Sequence, residues 1–189
     1  MPRKFASPAL TAAALVAAML ASPARAADYV QAPGSALAFA SRYDGEVFTG
    51  RFASFSTTLS FDPARLADAR LDVVIPLLGV NTGNEDRDST LAGADFFDVG
   101  KYAQARYTAT TFRSIGAGRY AADGTLSLRG VSKPVTLTFT WTPGAQPMLE
   151  GKATVKRLEF NVGGGDWSDT GVMPNEVAVS TRVLFKPTD

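Results

Sequence analysis

Apolar and polar residues alternate with a period of two along most of the chain. Leu37 and Phe39 alternate with small residues, and Thr57, Leu59 and Phe61 alternate with polar ones. Strict alternation gives a strand one apolar face and one wetter face. The pattern therefore predicts a protein built mainly of β-strands, with the same alternation in residues 71–75, 126–129, 135–141 and 177–185.

Turn signals separate these runs. Asp123-Gly124, between Tyr120 and Leu126, is typical of the tight turn of a β-hairpin. Pro143-Gly144 predicts the end of the strand that begins near Pro134.

Two short stretches have helical character. Asp62-Pro63 offers a cap followed by proline at the first helical position, so residues 64–69 are expected to form one or two turns. Asn84 is expected to cap a second helix, residues 85–92, with acidic residues in its first turn. Neither stretch is long enough to form a separate layer.

Eight or so strands with few helices, in about 160 residues, favour a closed eight-stranded antiparallel barrel with one or two short helices. A two-sheet sandwich is the alternative. A barrel of eight strands is either filled by its own side chains or holds one small ligand.

The first 26 residues have the composition of a targeting segment. Arg3 and Lys4 precede an apolar run, residues 9–21, and Ala24-Arg25-Ala26 is a small-x-small cleavage signature. The run is too short to span a hydrocarbon layer of ~30 Å comfortably. We therefore expect residues 1–26 to be a cleaved signal peptide and residues 27–189 to form one domain, which is secreted into the periplasm.

Removal of the signal peptide changes the net charge. The 19 Lys and Arg residues become 16, because Arg3, Lys4 and Arg25 are lost, while the 18 Asp and Glu residues remain, so the charge falls from +1 to −2. A slightly acidic domain without a basic stripe argues against nucleic-acid binding.

The chain contains neither cysteine nor histidine. This excludes a thiolate nucleophile, a disulfide, a Cys/His zinc site, a haem held by His or Cys, and any catalytic triad with a histidine base. We predict no metal and no cofactor.

Two sequence features could serve either structure or chemistry. The carboxylates of residues 84–88, with Asp95 and Asp98, lack EF-hand spacing, and Arg87 among them favours ion pairs and helix caps over calcium. Residues 163–165, three glycines, favour a bulge or wide loop over a phosphate cradle, because a P-loop also needs lysine and serine or threonine.

Four sequence blocks together resemble one known family. The blocks are Phe48-Thr49-Gly50-Arg51-Phe52 with Phe61-Asp62-Pro63; residues 80–88 (VNTGNEDRD) with Leu91 and residues 95–99 (DFFDV); residues 124–135 (GTLSLRGVSKPV); and residues 158–163 (LEFNVG) with Trp167 and residues 177–183. They resemble the YceI-like family of exported, lipocalin-like proteins that bind polyisoprenoids, over residues 32–185. Gly34, Tyr43 and Ala103 depart from the family pattern, since histidines and a proline are common at those places.

The resemblance implies an apolar barrel interior that holds a prenyl chain, such as a quinone tail, a prenol or a prenyl phosphate, without catalysis. It leaves open transient contact with membranes or respiratory proteins, and a homodimer. The predicted ligand-binding residues are Phe39, Phe52, Phe61, Ile75, Phe96, Phe97, Phe112, Leu126, Leu137, Phe139, Trp141, Phe160 and Trp167, with Arg51 and Arg129 for a head group.

Each of these assignments has a structural alternative. An inward-facing Phe, Leu or Val in a small barrel is more often packed core than ligand lining. Phe96-Phe97 is either a lid at the barrel mouth or one plugging ring beside a half-exposed one. Gly50 and Gly130 mark turns beside the two arginines, and exposed arginines are usually solvated.

Two other functions are compatible with the sequence. One is a carboxylate-dependent hydrolase that uses Asp86 with Asp88 or Asp95 as acid and base. The other is a dry structural barrel that acts through protein contacts.

The signal peptide gives a testable prediction. Because Ala24-Arg25-Ala26 matches the cleavage signature, mass spectrometry of the exported protein should find a mature start near Ala27 or Asp28. Recovery of the full-length chain in the membrane fraction would contradict it.

Overall fold

The computed structural model describes residues 27–188. The predicted signal peptide lies outside these residues. Within them the chain forms eleven strands, which are β1 Ala27–Gln31, β2 Ala36–Tyr43, β3 Glu46–Phe52, β4 Ser56–Phe61, β5 Arg70–Pro76, β6 Val80–Asn81, β7 Gln104–Gly116, β8 Arg119–Leu128, β9 Val131–Thr142, β10 Met148–Lys156 and β11 Glu176–Pro187.

Eight of these strands form a closed antiparallel barrel in the order β1-β4-β5-β7-β8-β9-β10-β11, and β11 pairs back onto β1. The prediction of a closed eight-stranded barrel is therefore confirmed. The other three strands continue from β11 as a flap, in the order β2-β3-β6. Strand β11 belongs to both the barrel and the flap, because Ala178–Arg182 pairs with β2 and Phe185–Pro187 pairs with β1.

The one α-helix of the described chain, α1 (Glu85–Ala92), has the predicted bounds. The Asn84 side chain accepts a hydrogen bond from the Arg87 backbone N–H at 2.9 Å, as a helix N-cap does. The first helical stretch is shorter than predicted. Asp62 accepts from the Ala64 N–H at 2.9 Å, but only Leu66–Asp68 forms a single 3-10 turn. No helix in residues 27–188 has the length and hydropathy needed to cross a membrane.

The hairpin predicted at Asp123-Gly124 is wrong, because both residues lie in the middle of β8. The chain turns instead at residues 117–118 and 129–130. Gly124 is needed for close packing: a Cβ atom there would lie 2.5 Å from both the Thr108 carbonyl oxygen and the Tyr107 ring. Asp123 is held across the strands by the Thr136 hydroxyl at 2.6 Å, a hydrogen bond that, with Arg113, lowers the pKa of its carboxyl.

One end of the barrel is filled by an aromatic plug. Neighbouring ring centroids in it are 5.1 to 6.3 Å apart, and most pairs are tilted or edge-to-face, as aromatic quadrupoles prefer. Phe61 is at its centre and contacts four of the other rings. The plug consists of Tyr29, Phe61, Phe112, Tyr120, Phe139, Trp141 and Phe185.

At the other end, a loop of residues 157–175 connects β10 to β11 and is organised by one buried arginine. The Arg157 side chain is almost wholly buried, and all five of its N–H groups donate to backbone carbonyls. Nε donates to Pro174 at 3.0 Å; Nη1 donates to Val162 at 3.1 Å and to Gly163; Nη2 donates to Trp167 at 2.6 Å and to Met173 at 2.7 Å. This arginine fixes the loop against the barrel mouth.

Replacement of the arginine should be costly. In an Arg157→Met variant the five carbonyls lose their donors, and we expect the free energy of unfolding to fall by about 3–5 kcal/mol. Urea denaturation measures the change. The neighbouring Lys156→Met variant is the control, because Lys156 is exposed and forms only a 3.8 Å surface ion pair with Glu159. Equal stabilities of the two variants would contradict the role given to Arg157.

The glycine in β8 gives a second stability prediction. Gly124→Ala should destabilise the barrel by about 1–3 kcal/mol, because the new methyl group overlaps the Tyr107 ring and the Thr108 carbonyl. Gly100→Ala is the matched control, since a Cβ atom at Gly100 meets nothing within 4 Å. Thermal unfolding of both variants measures the difference, and an unchanged Gly124→Ala melting temperature would show that β8 can shift to accept the methyl group.

Candidate functional site

The mouth half of the barrel contains a cavity of about 180 Å³. This volume has room for roughly 12 to 18 water-sized groups, since each needs about 10–15 Å³. The wall is almost entirely apolar, and no Asp or Glu of the described chain lines it. The interior is thus divided into a solid aromatic plug and a hollow mouth half.

Strand alternation builds the cavity wall. The residues that face inward near the mouth are those nearest the loop-bearing ends of the barrel strands, such as Ile75 on β5, Leu126 on β8 and Val155 on β10. Side chains two residues apart on a strand point to the same face, so every second residue contributes to the wall. The opposite faces carry the polar residues of the sequence pattern.

The flap supplies the aromatic part of the wall. The ring of Phe39 on β2 lies 6.4 Å from that of Phe48 and 5.7 Å from that of Phe52, both on β3. Gly50 allows this arrangement, because a Cβ atom there would be 2.3 Å from the Phe39 ring. The Phe52 ring in turn lies 6.3 Å from that of Phe97, which connects the flap to the segment after α1.

Four hydroxyl-bearing residues and one arginine interrupt the apolar wall. The Tyr107 hydroxyl lies 2.8 Å from the Ala122 carbonyl oxygen, an acceptor for its proton, and burial raises the pKa of this phenol. Burial lowers the pKa of Arg157, whose guanidinium is nevertheless fully hydrogen-bonded. The Thr181 hydroxyl donates to the Ala36 carbonyl at 3.1 Å.

Seven of the residues predicted to bind a ligand line this cavity. Both members of the Phe96-Phe97 pair are buried and contribute to the wall, so neither is the half-exposed ring of the structural alternative. The seven are Phe39, Phe52, Ile75, Phe96, Phe97, Leu126 and Leu137.

The other predicted aromatic residues do not line the cavity. Phe61, Phe112, Phe139 and Trp141 belong to the aromatic plug, because the rings nearest the far end pack on one another and leave no space. Phe160 is fully buried and ends the 3-10 turn that Arg157 begins. Trp167 is half-buried, with its ring 5.1 Å from that of Phe96 and 5.9 Å from that of Tyr43.

The two arginines proposed for a head group lie outside the cavity wall. Arg51 is exposed on β3. Arg129 lies in the turn between β8 and β9 and donates to the backbone carbonyls of Ala94 and Asp95, so its guanidinium holds the segment after α1. These positions give neither arginine a contact with a group inside the barrel.

Sequence reasoning missed most of the aliphatic wall and its arginine. The signal for Arg157 was present, because Leu149, Gly151, Ala153 and Val155 are inward-facing positions with the same alternation and Arg157 is the next one. The other wall residues that were not named as ligand-binding are Leu37, Ser41, Phe48, Thr57, Val73, Leu77, Leu91, Ala105, Tyr107, Leu128, Val135, Ala153, Val155, Val162, Met173, Val177, Val179 and Thr181.

The carboxylates near α1 have structural contacts. Asp88 accepts hydrogen bonds from the Thr82 N–H at 2.8 Å and from the Thr82 hydroxyl at 2.6 Å. Arg87 lies 4.5 Å above the Phe48 ring rather than in an ion pair with a carboxylate. No group of three or more acidic residues in residues 27–188 is placed to hold a metal ion. The caps agree with the sequence prediction, while the ion pairs expected for Arg87 are replaced by a cation–π contact.

The glycines of residues 163–165 lie in the loop that Arg157 holds. Gly163 and Gly165 have φ values of +67° and +57°, and Gly163 offers its carbonyl to the guanidinium. A Cβ atom at Gly163 would be 2.6 Å from Arg157 Nη1. The wide loop expected from the sequence is thus required by a buried arginine that passes close to the backbone.

Residues 29–185 match the model of the YceI-like domain. A UPF0312 protein of Pseudomonas fluorescens is 32% identical over 185 residues, covering 89% of this chain and 91% of its own. A UPF0312 protein of Shewanella baltica is 36% identical over 133 residues, covering 68% of each chain.

Two solved structures have the same fold. The crystal structure of BcnA from Burkholderia cenocepacia has a TM-score of 0.76 at 29% identity and covers 79% of this chain and 95% of its own. A polyisoprenoid binding domain from Saccharophagus degradans has a TM-score of 0.66 at 20% identity, with coverage of 86% and 99%, which shows the fold alone. With a barrel of this topology and a family match over nearly all of the described residues, the chain belongs to the YceI-like family.

Proposed function

We propose that this protein binds a polyisoprenoid lipid, such as a quinone tail, a prenol or a prenyl phosphate, in the mouth half of the barrel and carries it without catalysis. The main support for this proposal is the apolar cavity of about 180 Å³, whose wall contains no carboxylate within the described chain. The Saccharophagus domain of the same fold, a polyisoprenoid binding domain, supports the choice of lipid. The signal-like residues 1–26 support export to the periplasm.

Lipid exchange is governed by the difference between two apolar environments. Burial of one CH₂ group is worth ~0.8 kcal/mol relative to water. A bilayer gives the lipid about the same gain, so transfer into the barrel is near balance only if the cavity is as apolar as the membrane interior. The phenylalanine and aliphatic wall meets this requirement.

An uncompensated charge in the wall would oppose transfer, because an unpaired buried charge costs several kcal/mol. Arg157 is the one charged side chain that lines the cavity among residues 27–188. Its five hydrogen bonds to carbonyl oxygens surround the guanidinium with negative dipole ends. The arginine can therefore remain at the mouth without repelling an apolar chain.

The hydrolase alternative has no support in the geometry. Asp86 and Asp95 are exposed, Asp88 is bonded to Thr82, and none of the three lines the cavity. A pair of carboxylates flanking a substrate cleft is what acid–base hydrolysis requires.

Filling the cavity should strongly reduce lipid binding. Ala153 faces the cavity from β10, and an Ala153→Phe variant places a ring where the ligand chain would lie. Organic extracts of the wild-type protein, purified from its own host, should release a prenyl lipid detectable by mass spectrometry. We expect the Ala153→Phe variant to release at least tenfold less, because its ring takes the place of several CH₂ groups worth ~0.8 kcal/mol each.

The matched control is Ala178→Phe, which adds the same ring on the exposed outer face of neighbouring strand β11. It should release as much lipid as the wild type. Extracts of the wild type without prenyl lipid, or equal lipid in the two variants, would refute the proposed function.

A further inference from the structure

The hydroxyl groups of the cavity wall fall into two classes. Those of Tyr107 and Thr181 have carbonyl acceptors at 2.8 and 3.1 Å. Those of Ser41 and Thr57 are buried without any hydrogen-bond partner in the described chain. The relative exposures of Ser41 and Thr57 are only 8% and 3%, so bulk water does not replace the missing partner.

Unpaired buried hydroxyls are uncommon, because each gives up its hydrogen bonds to water without replacement. Only two other buried side-chain atoms of the described residues share this state, in Gln31 and Arg65, and neither residue lines the cavity. The two unpaired hydroxyls of the wall therefore require an explanation connected with the cavity.

Both side chains occupy inward-facing strand positions. Ser41 follows Leu37 and Phe39 in the alternation of β2, and Thr57 precedes Leu59 and Phe61 in that of β4. In this structure both oxygens are buried, although both residues line the cavity. Rotation about χ1 moves a serine hydroxyl between three staggered positions and exchanges the threonine hydroxyl with its methyl group. One bond rotation thus presents either oxygen to a molecule in the cavity.

We infer that the hydroxyl of Ser41, of Thr57 or of both forms a hydrogen bond with an oxygen-bearing group of the bound lipid. The ligand class is an isoprenoid with an alcohol or carbonyl oxygen that enters the barrel, in preference to a pure hydrocarbon of the same length. This inference rests on the proposed function and specifies its ligand. The remainder of the wall supplies affinity for the chain, and the two hydroxyls supply selectivity for the oxygenated group.

The test compares two probes and two protein forms. Tritiated geranylgeraniol, and the same chain with its hydroxyl replaced by hydrogen, are equilibrated between phosphatidylcholine vesicles and the full mature protein. The Ser41→Ala/Thr57→Val double variant is then compared with the wild type. Comparison across the two proteins cancels the difference between the probes in the vesicles, because the vesicles are identical in both experiments.

In the double variant the transfer of geranylgeraniol should fall about fivefold, as loss of a typical hydrogen bond implies. Transfer of the hydrocarbon should stay equal or rise, since an unpaired hydroxyl has been removed. The single variants assign the contact to Ser41 or Thr57. The control is Ser180→Ala/Thr140→Val, the same chemical changes on exposed outer positions of β11 and β9, and it should transfer both probes as the wild type does.

Equal changes for the two probes in the double variant would overturn the inference while leaving lipid binding intact. If neither probe transfers to the wild type, the proposed function itself fails. The double variant should unfold at the wild-type temperature or above it, because neither hydroxyl has a partner to lose and removing each one also removes its desolvation cost.

Discussion

Closure of the barrel depends on the short strand β1, which hydrogen-bonds to β4 with one edge and to β11 with the other. Tyr29 is aligned with Leu59 on one side and Pro187 on the other, and its ring also enters the aromatic plug. Tyr29 therefore contributes both to the closure of the barrel and to the packing of its interior. Because this seam closes only the plug end, the neighbouring half of β11 is free to pair with β2 and to carry the flap, which supplies Phe39, Phe48 and Phe52 to the cavity.

The division of the interior explains how a small domain can keep a cavity. Large aromatic side chains contribute much of the hydrophobic stabilisation of a core, and the plug concentrates seven of them at one end. A cavity removes packing contacts and costs stability in proportion to its volume. The plug offsets this cost without extending into the mouth half. The inward-facing residues outside the plug are then available to contact a ligand as well as to pack the barrel.

Alternation in the sequence predicted the strands and their inward faces, and Asn84 predicted the start of α1, because both depend on local chemistry. The alternation could not predict how far along the barrel axis each inward-facing residue lies, because that position depends on the stagger between neighbouring strands. Phe61 and Phe39 look alike in the pattern, yet one is in the plug and the other lines the cavity. The hairpin turn predicted at Asp123-Gly124 was wrong for a related reason. Gly124 is required by the ring of Tyr107 on the adjacent strand, and this contact between strands cannot be inferred from a local turn sequence.

The charged and the neutral polar groups of the cavity wall differ in how their hydrogen-bonding capacity is used. Arg157 uses every donor on carbonyls of the loop, so its charge fixes the frame of the mouth and leaves no donor for a ligand. Ser41 and Thr57 do the reverse, because they bind nothing within the described protein and keep their hydrogen-bonding capacity. A guanidinium left unpaired would oppose an apolar chain strongly, whereas a neutral hydroxyl opposes it only weakly and rewards an oxygen. The charged guanidinium is fully hydrogen-bonded, while the two neutral hydroxyls are left unpaired. The cavity can therefore accommodate an apolar chain and still select for an oxygen at the polar end of that chain.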